Sequence, residues 1–360
     1  MFALFSFLAF SIDVGFLAGA KAELRRSADS ASLAGCWEVF NQLQNGGNVS
    51  TAEASARQTA AQYAAANRVV NSDVTVDTGA VSQKIQVGYL ATLSSPASIM
   101  QDTSLPFLAV KISLEKNAER NGEVPFFFGK IFGDSGQDMQ ASATAVMGQR
   151  ISGFALPPGS SASLPILPFA LDQTSWDALT ASSGNDNYNF DRSTGQVHSG
   201  GDGIREVNLY PQGTGSPGNR GTVDIGSSNN STADIARQIV NGISPNDLQS
   251  LGKPLTIETN GTLTLNGDTG ISAGVKDDLA SIIGQTRIIP VFSTVSGNGN
   301  NASYNIVKWV GVRVLSVKLT GAMSQKHLMV QPAPIIARYA VTGETDGISS
   351  GVYTPVTLAR

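Results

Sequence analysis

The first 44 residues carry one continuous helical pattern that changes character along its length. Between Met1 and Ala20 the only charged residue is Asp13, and most of the others are apolar. At a rise of 1.5 Å per residue, about 20 such residues cross the core of a bilayer. From Lys21 onwards, apolar and small residues recur every three or four positions among charged ones, until Asn45-Gly46-Gly47 gives a stop signal. We therefore predict one helix over residues 1–44, apolar on all sides at first and amphipathic later.

This apolar run has two interpretations. It is long enough for a membrane anchor. A secretory signal peptide instead needs a basic segment, a short apolar core and a small-residue cleavage site. The residues after Met1 are apolar rather than basic, although "LAGAKA" (17–22) offers a cleavage site. We favour the anchor and keep the cleaved signal as the alternative.

Asp13 is unusual in such a run. An ionised carboxylate at mid-bilayer costs about 2.5–3.5 kcal/mol on insertion scales, so residues of this kind usually meet a partner or perform a function. Three interpretations stay open for Asp13. It lies near a membrane interface, it pairs with a cation or with another subunit's N-terminus during assembly, or it relays protons.

Beyond the first helix the pattern predicts a helix-plus-sheet domain. The alanine-rich stretch 50–70 opens with Ser and Thr ahead of Glu53, which predicts a second helix that folds back on the first. The period then changes from three or four to two, as in "FLAVKISLEK" (107–116). The strands that we expect to form one small antiparallel sheet lie near 74–77, 82–90, 107–115, 125–132 and 139–147.

Residues 153–168 are rich in Pro, Gly and Ser and predict a linker to a second β-rich domain. Within that domain we expect short helices from about Asp172, near 231–242, at 244–250 and near 271–283. Apolar positions change parity in the last long strand, which predicts a β-bulge near Val314-Leu315. The predicted division is 1–44 stalk helix, 45–152 first domain, 153–168 linker, 169–330 second domain and 331–360 tail with a terminal strand.

Composition removes several classes of function. The net charge is −4 and the 24 basic residues are scattered, which argues against nucleic acid as a partner. Cys36 is the single cysteine, so an internal disulfide framework and a cysteine zinc cluster are excluded. Two histidines, His198 and His327, do not suffice for a multi-histidine metal site.

The segment "FSIDVGFLAGAKAELRRSADSASLAG" (10–35) resembles the N-terminal segment of TadG-like proteins of Flp (tight-adherence) pilus assembly. Those proteins have an apolar helix, an Asp two residues before a Gly, and then a stretch of the type L-x-x-A-A-D-A-A-A-L-A-G. The matching positions are Asp13, Gly15, Leu24, Ala28, Asp29, Ala31, Leu33, Ala34 and Gly35. The second domain is similar to the C-terminal region of many such proteins, in the segments Gly218–Gly226, Ile239–Ile243, Gly270–Leu279 and Ile288–Val291.

The resemblance implies a part in pilus or envelope assembly. It implies as partners other pilus or secretion components, a second copy bound through the N-terminal helix, and membrane lipid. The implied location is the bacterial cell envelope, anchored in the inner membrane with outward-facing domains or built into a surface filament. The residues expected to serve anchoring and assembly are Asp13, Gly15, Ala18, Gly19, Ala28 and Asp29.

One motif looks catalytic. "GISAG" (270–274) satisfies G-x-S-x-G, with Ser272 as the would-be nucleophile of a hydrolase and His327 as the sole downstream histidine. The residues "GDTG" (267–270) separate Ser272 from the preceding strand, whereas a nucleophile elbow needs the serine directly after a buried strand. We therefore favour a glycine-rich turn in which Ser272 caps a helix.

Metal sites are weakly indicated. "DIGSS" (224–228) approaches the D-x-S-x-S adhesion motif, but Gly226 stands where the first ligand serine belongs. Oxygen ligands for Ca²⁺ are abundant in "NDNYNFDRSTG" (185–195) and near Asp268, without the spacing of an EF-hand. Such residues more often form turns. We expect no cofactor, with Ca²⁺ as the weak alternative.

The sequence as a whole predicts an α+β protein. A long N-terminal pilin-like helix is followed by two β-rich, mainly antiparallel domains with short helices. The predicted function is a non-enzymatic structural or assembly component of a Flp-type pilus or a related envelope apparatus. The alternatives are a secreted serine hydrolase using Ser272 and His327, and a released adhesion or matrix module.

Overall fold

The protein is an α+β chain with one long N-terminal helix followed by β-rich structure. The computed structural model describes residues 2–93, 98–157, 159–210, 220–226, 231–297, 299–343 and 347–359. The α-helices are α1 Phe2–Gln44, α2 Val49–Ala66, α3 Gln173–Thr180, α4 Thr232–Asn241, α5 Pro245–Leu251 and α6 Lys276–Ala280. Short 3₁₀ helices span Ala80–Ser82, Gly129–Phe132, Ala273–Val275, Gly299–Asn301 and Met323–Gln325.

The strands follow in chain order. They are β1 Ile85–Leu90, β2 Phe107–Lys116, β3 Val124–Pro125, β4 Gly136–Gln137, β5 Met139–Gly148, β6 Ile151–Phe154, β7 Phe169–Asp172, β8 Tyr188–Asp191, β9 Gln196–Ser199, β10 Val207–Asn208, β11 Arg220–Val223, β12 Leu255–Thr256, β13 Leu263–Asp268, β14 Thr286–Ser296, β15 Ala302–Lys318, β16 His327–Pro332, β17 Ile335–Ile336, β18 Ala340–Thr342, β19 Ser349–Ser350, β20 Val352–Tyr353 and β21 Thr357–Leu358.

The chain forms two compact units. The first unit contains residues 1–147 together with 356–360, and the second contains residues 148–355. The last residues therefore return to the first unit, where β21 pairs antiparallel with β5. The first unit is thus assembled from both ends of the chain.

In the first unit α1 and α2 form an antiparallel hairpin, as predicted. The helix α2 begins at Val49 because Asn48 caps it and exchanges hydrogen bonds with Thr51. It ends at Ala66, earlier than predicted, because a tight turn closed by Val69 and Ser72 follows. The buried face of α2 consists of alanines four residues apart, which are Ala52, Ala56, Ala60 and Ala64. Such small side chains let the two helix backbones approach closely.

The sheet of the first unit has the order β1-β2-β5-β21. The predicted strands at 82–90, 107–115 and 139–147 are confirmed, with β1 beginning at Ile85. On β2 the predicted alternation holds, and the buried side chains are Leu108, Val110, Ile112 and Leu114. That face of β2 packs against α1, which gives this unit its core.

Two predicted strands of the first unit were wrong. Residues 74–77 form no strand, because the Asn121 side chain accepts the Thr75 N–H and donates to the Thr75 carbonyl. Of residues 125–132 only Pro125 is in a strand, and the segment ends in a 3₁₀ turn at Gly129–Phe132, because the carboxylate of Asp13 accepts the amides of residues 127–129. In both places a side chain takes the backbone groups that a neighbouring strand would need.

The second unit is built around a sheet that is buried on both faces. Its strands pair in the order β10-β16-β15-β13-β11-β7-β14, and β14 also pairs with β15. On β14, Ile288 and Phe292 belong to one apolar cluster, while Ile289 and Val291 belong to the other. The unbroken apolar run "IIPVF" (288–292) follows from this two-sided burial.

Several local predictions in this unit are confirmed. The register between β15 and β16 shifts between Val314 and Ser316, so Leu315 is the extra residue of the predicted bulge. Asp172 caps α3 by accepting the Ser175 amide at 2.8 Å. The helix expected near 271–283 is shorter, with a 3₁₀ turn at Ala273–Val275 leading into α6.

The stretch 153–168, which the sequence predicts to be a linker, contributes side chains to the two apolar clusters. These buried residues are Leu164, Ile166 and Leu167.

Candidate functional site

Asp13 is buried and hydrogen-bonded within its own chain. Its side chain lies on α1, yet the residue is only 6% exposed. The carboxylate accepts the backbone N–H of Phe127 at 2.7 Å, of Phe128 at 3.1 Å and of Gly129 at 2.9 Å. These amides open the 3₁₀ turn at Gly129–Phe132, where the N–H groups have no partner within the turn. A buried carboxylate needs such donors, so the contact satisfies both sides.

The segment that Asp13 holds, residues 126–132, is apolar and largely exposed; we call it the apolar loop. Phe127 packs edge-on against Phe16 of α1, with ring centroids 4.8 Å apart. Even so, the Phe127 side chain is 58% exposed, and Ile131 and Phe132 are each 76% exposed. The apolar loop is therefore fixed to α1 at its start and presents apolar side chains to the outside.

The N-terminal part of α1 is also apolar and exposed, and we call residues 7–14 the apolar helix end. Its exposed large side chains are Phe7, Leu8, Phe10, Ile12 and Val14. Further along, Leu24, Ala28 and Ala31 of the same helix are fully buried by the rest of the unit. One helix thus has a buried half and an exposed apolar half, as the sequence pattern predicts. Contiguous exposed apolar side chains make this part of the helix the candidate for an interaction site.

The other residues expected to serve anchoring divide between surface and core. Gly15, Ala18 and Gly19 are exposed on α1. A Cβ built at Gly15 or Gly19 would meet no described atom within 4 Å. Ala28 is fully buried and Asp29 is half-buried. The exposed small residues are free for contacts outside the chain, whereas Ala28 belongs to the helical hairpin.

The small-residue motif of α1 packs the two helices together. A Cβ at Gly35 would lie 3.0 Å from a Val110 methyl and 3.2 Å from both the Ala56 carbonyl oxygen and the Ala60 Cβ. Nearby, the Ser27 hydroxyl donates to the Ala64 carbonyl at 3.1 Å. Gly35, one of the positions that carry the resemblance, therefore lies at the contact of α1 with α2 and the sheet.

The structure does not bring Ser272 and His327 together as a catalytic pair. Ser272 caps the 3₁₀ turn at Ala273–Val275 by accepting the Gly274 amide at 3.2 Å, which confirms the predicted cap. Both ring nitrogens of His327 lie 3.0 Å from other partners, the Ser316 hydroxyl and the Gln325 carbonyl. The histidine is therefore engaged elsewhere.

The adhesion-like motif has a structural explanation at Gly226. Its φ is +87°, and a Cβ there would lie 1.6 Å from the Asp247 carbonyl oxygen, so only glycine fits. Ser227 and Ser228 lie outside the described residues, as do Gly218 and Asn219 of the segment resembling TadG-like proteins. Among the residues that the structure describes, no group of three His, Cys, Asp or Glu side chains is placed to hold a metal ion.

An acidic cluster lies beside the asparagine-rich loop. Burial raises the pKa of Glu206, and the neighbouring carboxylates of Asp186 and Asp202 raise it further. One carboxylate oxygen of Glu206 accepts the amides of Asn187 and Tyr188 at 2.8 and 2.6 Å. Its other oxygen is buried without a hydrogen-bond partner among the described atoms. Elsewhere, burial raises the pKa of the Cys36 thiol to about 12, so this cysteine is unreactive when folded.

Sequence reasoning missed the apolar loop as a functional candidate. Its residues read "FFFGKIF" (126–132), and an apolar run of this length suits a strand by periodicity alone. The signal that could have distinguished a turn from a strand is Gly129 next to Lys130, because a turn-forming residue and a charge interrupt the apolar run there.

Comparison with known proteins gives one family. Residues 34–145 match the family model described as Tad-like Flp pilus-assembly. The match spans about a third of the chain and supports a Tad-type pilus-assembly protein, in agreement with the resemblance found in the sequence. It covers the end of α1, all of α2, β1 and β2, and most of β5. No curated protein and no solved structure matches the chain significantly.

Among the described residues, no helix combines the length and the apolar character that crossing a membrane requires. The transmembrane helix expected at the N-terminus is therefore not found in that part of the chain.

Proposed function

We propose that this protein is a non-enzymatic structural component of a Tad-type pilus or of a related cell-envelope apparatus. The apolar helix end is the part that joins it to its surroundings. The observation that carries the proposal is the division of α1. Its later half is buried in a domain that matches the pilus-assembly family, while Phe7, Leu8 and Phe10 are exposed.

Such a helix gives assembly a simple mechanism. In a bilayer, lipid covers the apolar side chains, and in a filament the same surface is buried against identical helices. The exposed small residues Gly15, Ala18 and Gly19 then allow neighbouring helices to approach closely. This assigns the protein to the bacterial envelope or to a surface filament, with lipid, other pilus components or its own copies as partners.

The non-enzymatic role is supported by the contacts of the two residues that looked catalytic. Ser272 is the cap of a turn, and the ring of His327 is held by Ser316 and Gln325. A Ser272→Ala variant is therefore expected to leave assembly unchanged.

The proposal is tested by cell fractionation. The double variant Phe7→Ser/Phe10→Ser removes exposed apolar surface without touching the buried half of α1, so the fold should persist. We expect the protein to leave the membrane and sheared-filament fractions and to become soluble. The matched control is Val81→Ser, because Val81 is 96% exposed on the short 80–82 turn of the same unit. Unchanged fractionation of the double variant would contradict the proposal.

The mature N-terminus separates this function from that of a released module. We expect the envelope-bound protein to retain residues 7–14. A cellular form that begins beyond residue 21 and diffuses freely would favour the adhesion or matrix alternative.

A further inference from the structure

We propose that the apolar loop is a second lipid-contacting element, which enters the headgroup region of an anionic bilayer beside α1 at a depth set by Asp13. This inference rests on the proposed function, because it takes the apolar helix end to be embedded in lipid. It adds a separate segment, far away in the sequence, to the contact with the membrane.

The attachment of the loop fixes its position along the helix. Three amides at 2.7–3.1 Å from the Asp13 carboxylate and the ring contact of Phe16 with Phe127 hold the start of the loop. The apolar helix end extends about 9 Å further from Asp13 to Phe7 at 1.5 Å per residue. Lipid that covers the helix end therefore also reaches the level of the loop.

The composition of the loop fits a membrane interface. Phe127, Ile131 and Phe132 are more than half exposed, and Lys130 lies between them in the sequence. Aromatic and aliphatic side chains enter the boundary between headgroups and acyl chains, while a lysine reaches anionic headgroups. If the loop faced water, these apolar side chains would stay exposed, which is unfavourable and uncommon in soluble domains.

The exposure around α1 favours lipid over a second copy of the chain as the occupant. At 100° per residue, the five exposed side chains of the apolar helix end cover an arc of about 200°. One helical partner covers a stripe about half as wide, whereas lipid surrounds the helix. Asp13 and Phe16 lie in the remaining arc, where the loop packs.

Charged residues of both signs lie near this surface, with the exposed acids Glu123, Asp134 and Asp138 flanking the loop in sequence and a group of cations on α1. The exposed charged residues on the following turns of α1 are Lys21, Arg25 and Arg26. Glu23, the acid among them, accepts the Val70 amide at 2.8 Å. The Lys21 ammonium donates to the Gln140 carbonyl, which leaves Arg25 and Arg26 on α1 and Lys130 in the loop as exposed cations that can reach anionic headgroups.

In this arrangement Asp13 is not an isolated charge at mid-bilayer. The loop supplies three hydrogen-bond donors at the level of the carboxylate, and the contact lies at the interface. The cost of burying the charge is offset by hydrogen bonds that form inside the chain.

The test uses an environment-sensitive NBD label on the full chain. Cysteine is introduced by Phe132→Cys in the loop, by Phe10→Cys in the helix end and by Val81→Cys as the control. The native Cys36 is fully buried, so the folded chain is labelled only at the new position. Protein in detergent is diluted into vesicles of phosphatidylethanolamine with phosphatidylglycerol, or into vesicles of phosphatidylcholine alone.

We expect the labels at 132 and 10 to shift to the blue and brighten at least about twofold with anionic vesicles. The label at 81 should not respond. In an Asp13→Asn background the label at 132 should lose its response while the label at 10 keeps it, because Asp13 acts by positioning the loop.

Each other outcome overturns the inference. A response at 10 without one at 132 would refute the loop contact and leave the proposed function intact. Silence at both positions would refute the inference and lipid as the partner of the apolar helix end, and would leave pilus components or other copies of the chain as its partners. A response at 132 that depends on protein concentration without vesicles would assign the loop to a contact between copies instead.

Discussion

The carboxylate of Asp13 accepts the backbone amide of Phe127 at 2.7 Å, across 114 residues of sequence. This hydrogen bond joins the start of a long helix to a loop that would otherwise be an apolar strand. It explains why an acid stands in an apolar run, and why residues 126–132 do not continue the strand β3.

Loss of the Asp13 charge should free the apolar loop. Asn in place of Asp keeps one acceptor oxygen and loses the charge, so Asp13→Asn should cost about 1–2 kcal/mol of local stability. We expect the amides of residues 127–129 to exchange at least about tenfold faster, as measured by hydrogen–deuterium exchange of a peptide covering 124–137.

The matched control is Asp134→Asn, because Asp134 is an exposed acid just beyond the same turn. Its exchange profile should stay within error of the wild type. Equal protection of the loop in both variants would show that Asp13 does not hold it.

Enlarging Gly35 should separate the two helices. The nearest atoms lie 3.0–3.2 Å from a Cβ at this position, so Gly35→Val should lower the free energy of unfolding by about 1–3 kcal/mol. Gly19→Ala is the control, because a Cβ there meets no described atom within 4 Å. Alanine should be neutral or stabilising in a helix by up to about 1 kcal/mol. Urea denaturation measures both, and equal stability of the two variants would contradict the packing.

Local signals in the sequence were sufficient for much of this fold. The helix over 2–44 follows from its apolar period, the bulge at Leu315 from a change of parity, and the Ser272 cap from a glycine-rich turn. These features depend on residues that are close in sequence, so the local sequence is sufficient to predict them.

The failures share one cause. The sequence pattern predicts strands at 74–77 and 125–132, but Asn121 and Asp13 bind their backbone groups from 46 and at least 114 residues away. The pairing of β21 with β5 likewise joins opposite ends of the chain. For the candidate site, the pattern identified the apolar helix end and not the loop, because that contact exists only in the folded chain.

Burial should make Cys36 inert in the folded protein. Its pKa is raised from 9.0 to about 12, so the thiolate is scarce at pH 8. We expect iodoacetamide to modify Cys36 only in denaturant. Because the folded pKa is raised, the stabilising effect of the neutral thiol is present below pH 9 and is lost as the pH rises towards 12. The stability advantage over Cys36→Ala should shrink by up to about 1.4 kcal/mol per pH unit in that window.

Glu206 should destabilise the second unit at neutral pH. Burial raises its pKa above 4.5, so its contribution to stability is present below pH 4.5 and is lost as the pH rises through the folded pKa. Glu206→Gln should therefore be more stable than the wild type at pH 7, and this gain should disappear near pH 4. Exposed Glu258→Gln is the control in the same denaturation series, and a loss of stability for Glu206→Gln at pH 7 would contradict this account.

In the cell envelope or in a filament, the apolar helix end should be buried against lipid or protein and shielded from water. Labelling with an aqueous maleimide tests it directly on Phe10→Cys, with Val81→Cys as the reference, in the purified chain and in the envelope or filament fraction. We predict that position 10 reacts at least about tenfold more slowly in that fraction, while position 81 reacts as before. Equal reactivity of position 10 in both preparations would contradict the account.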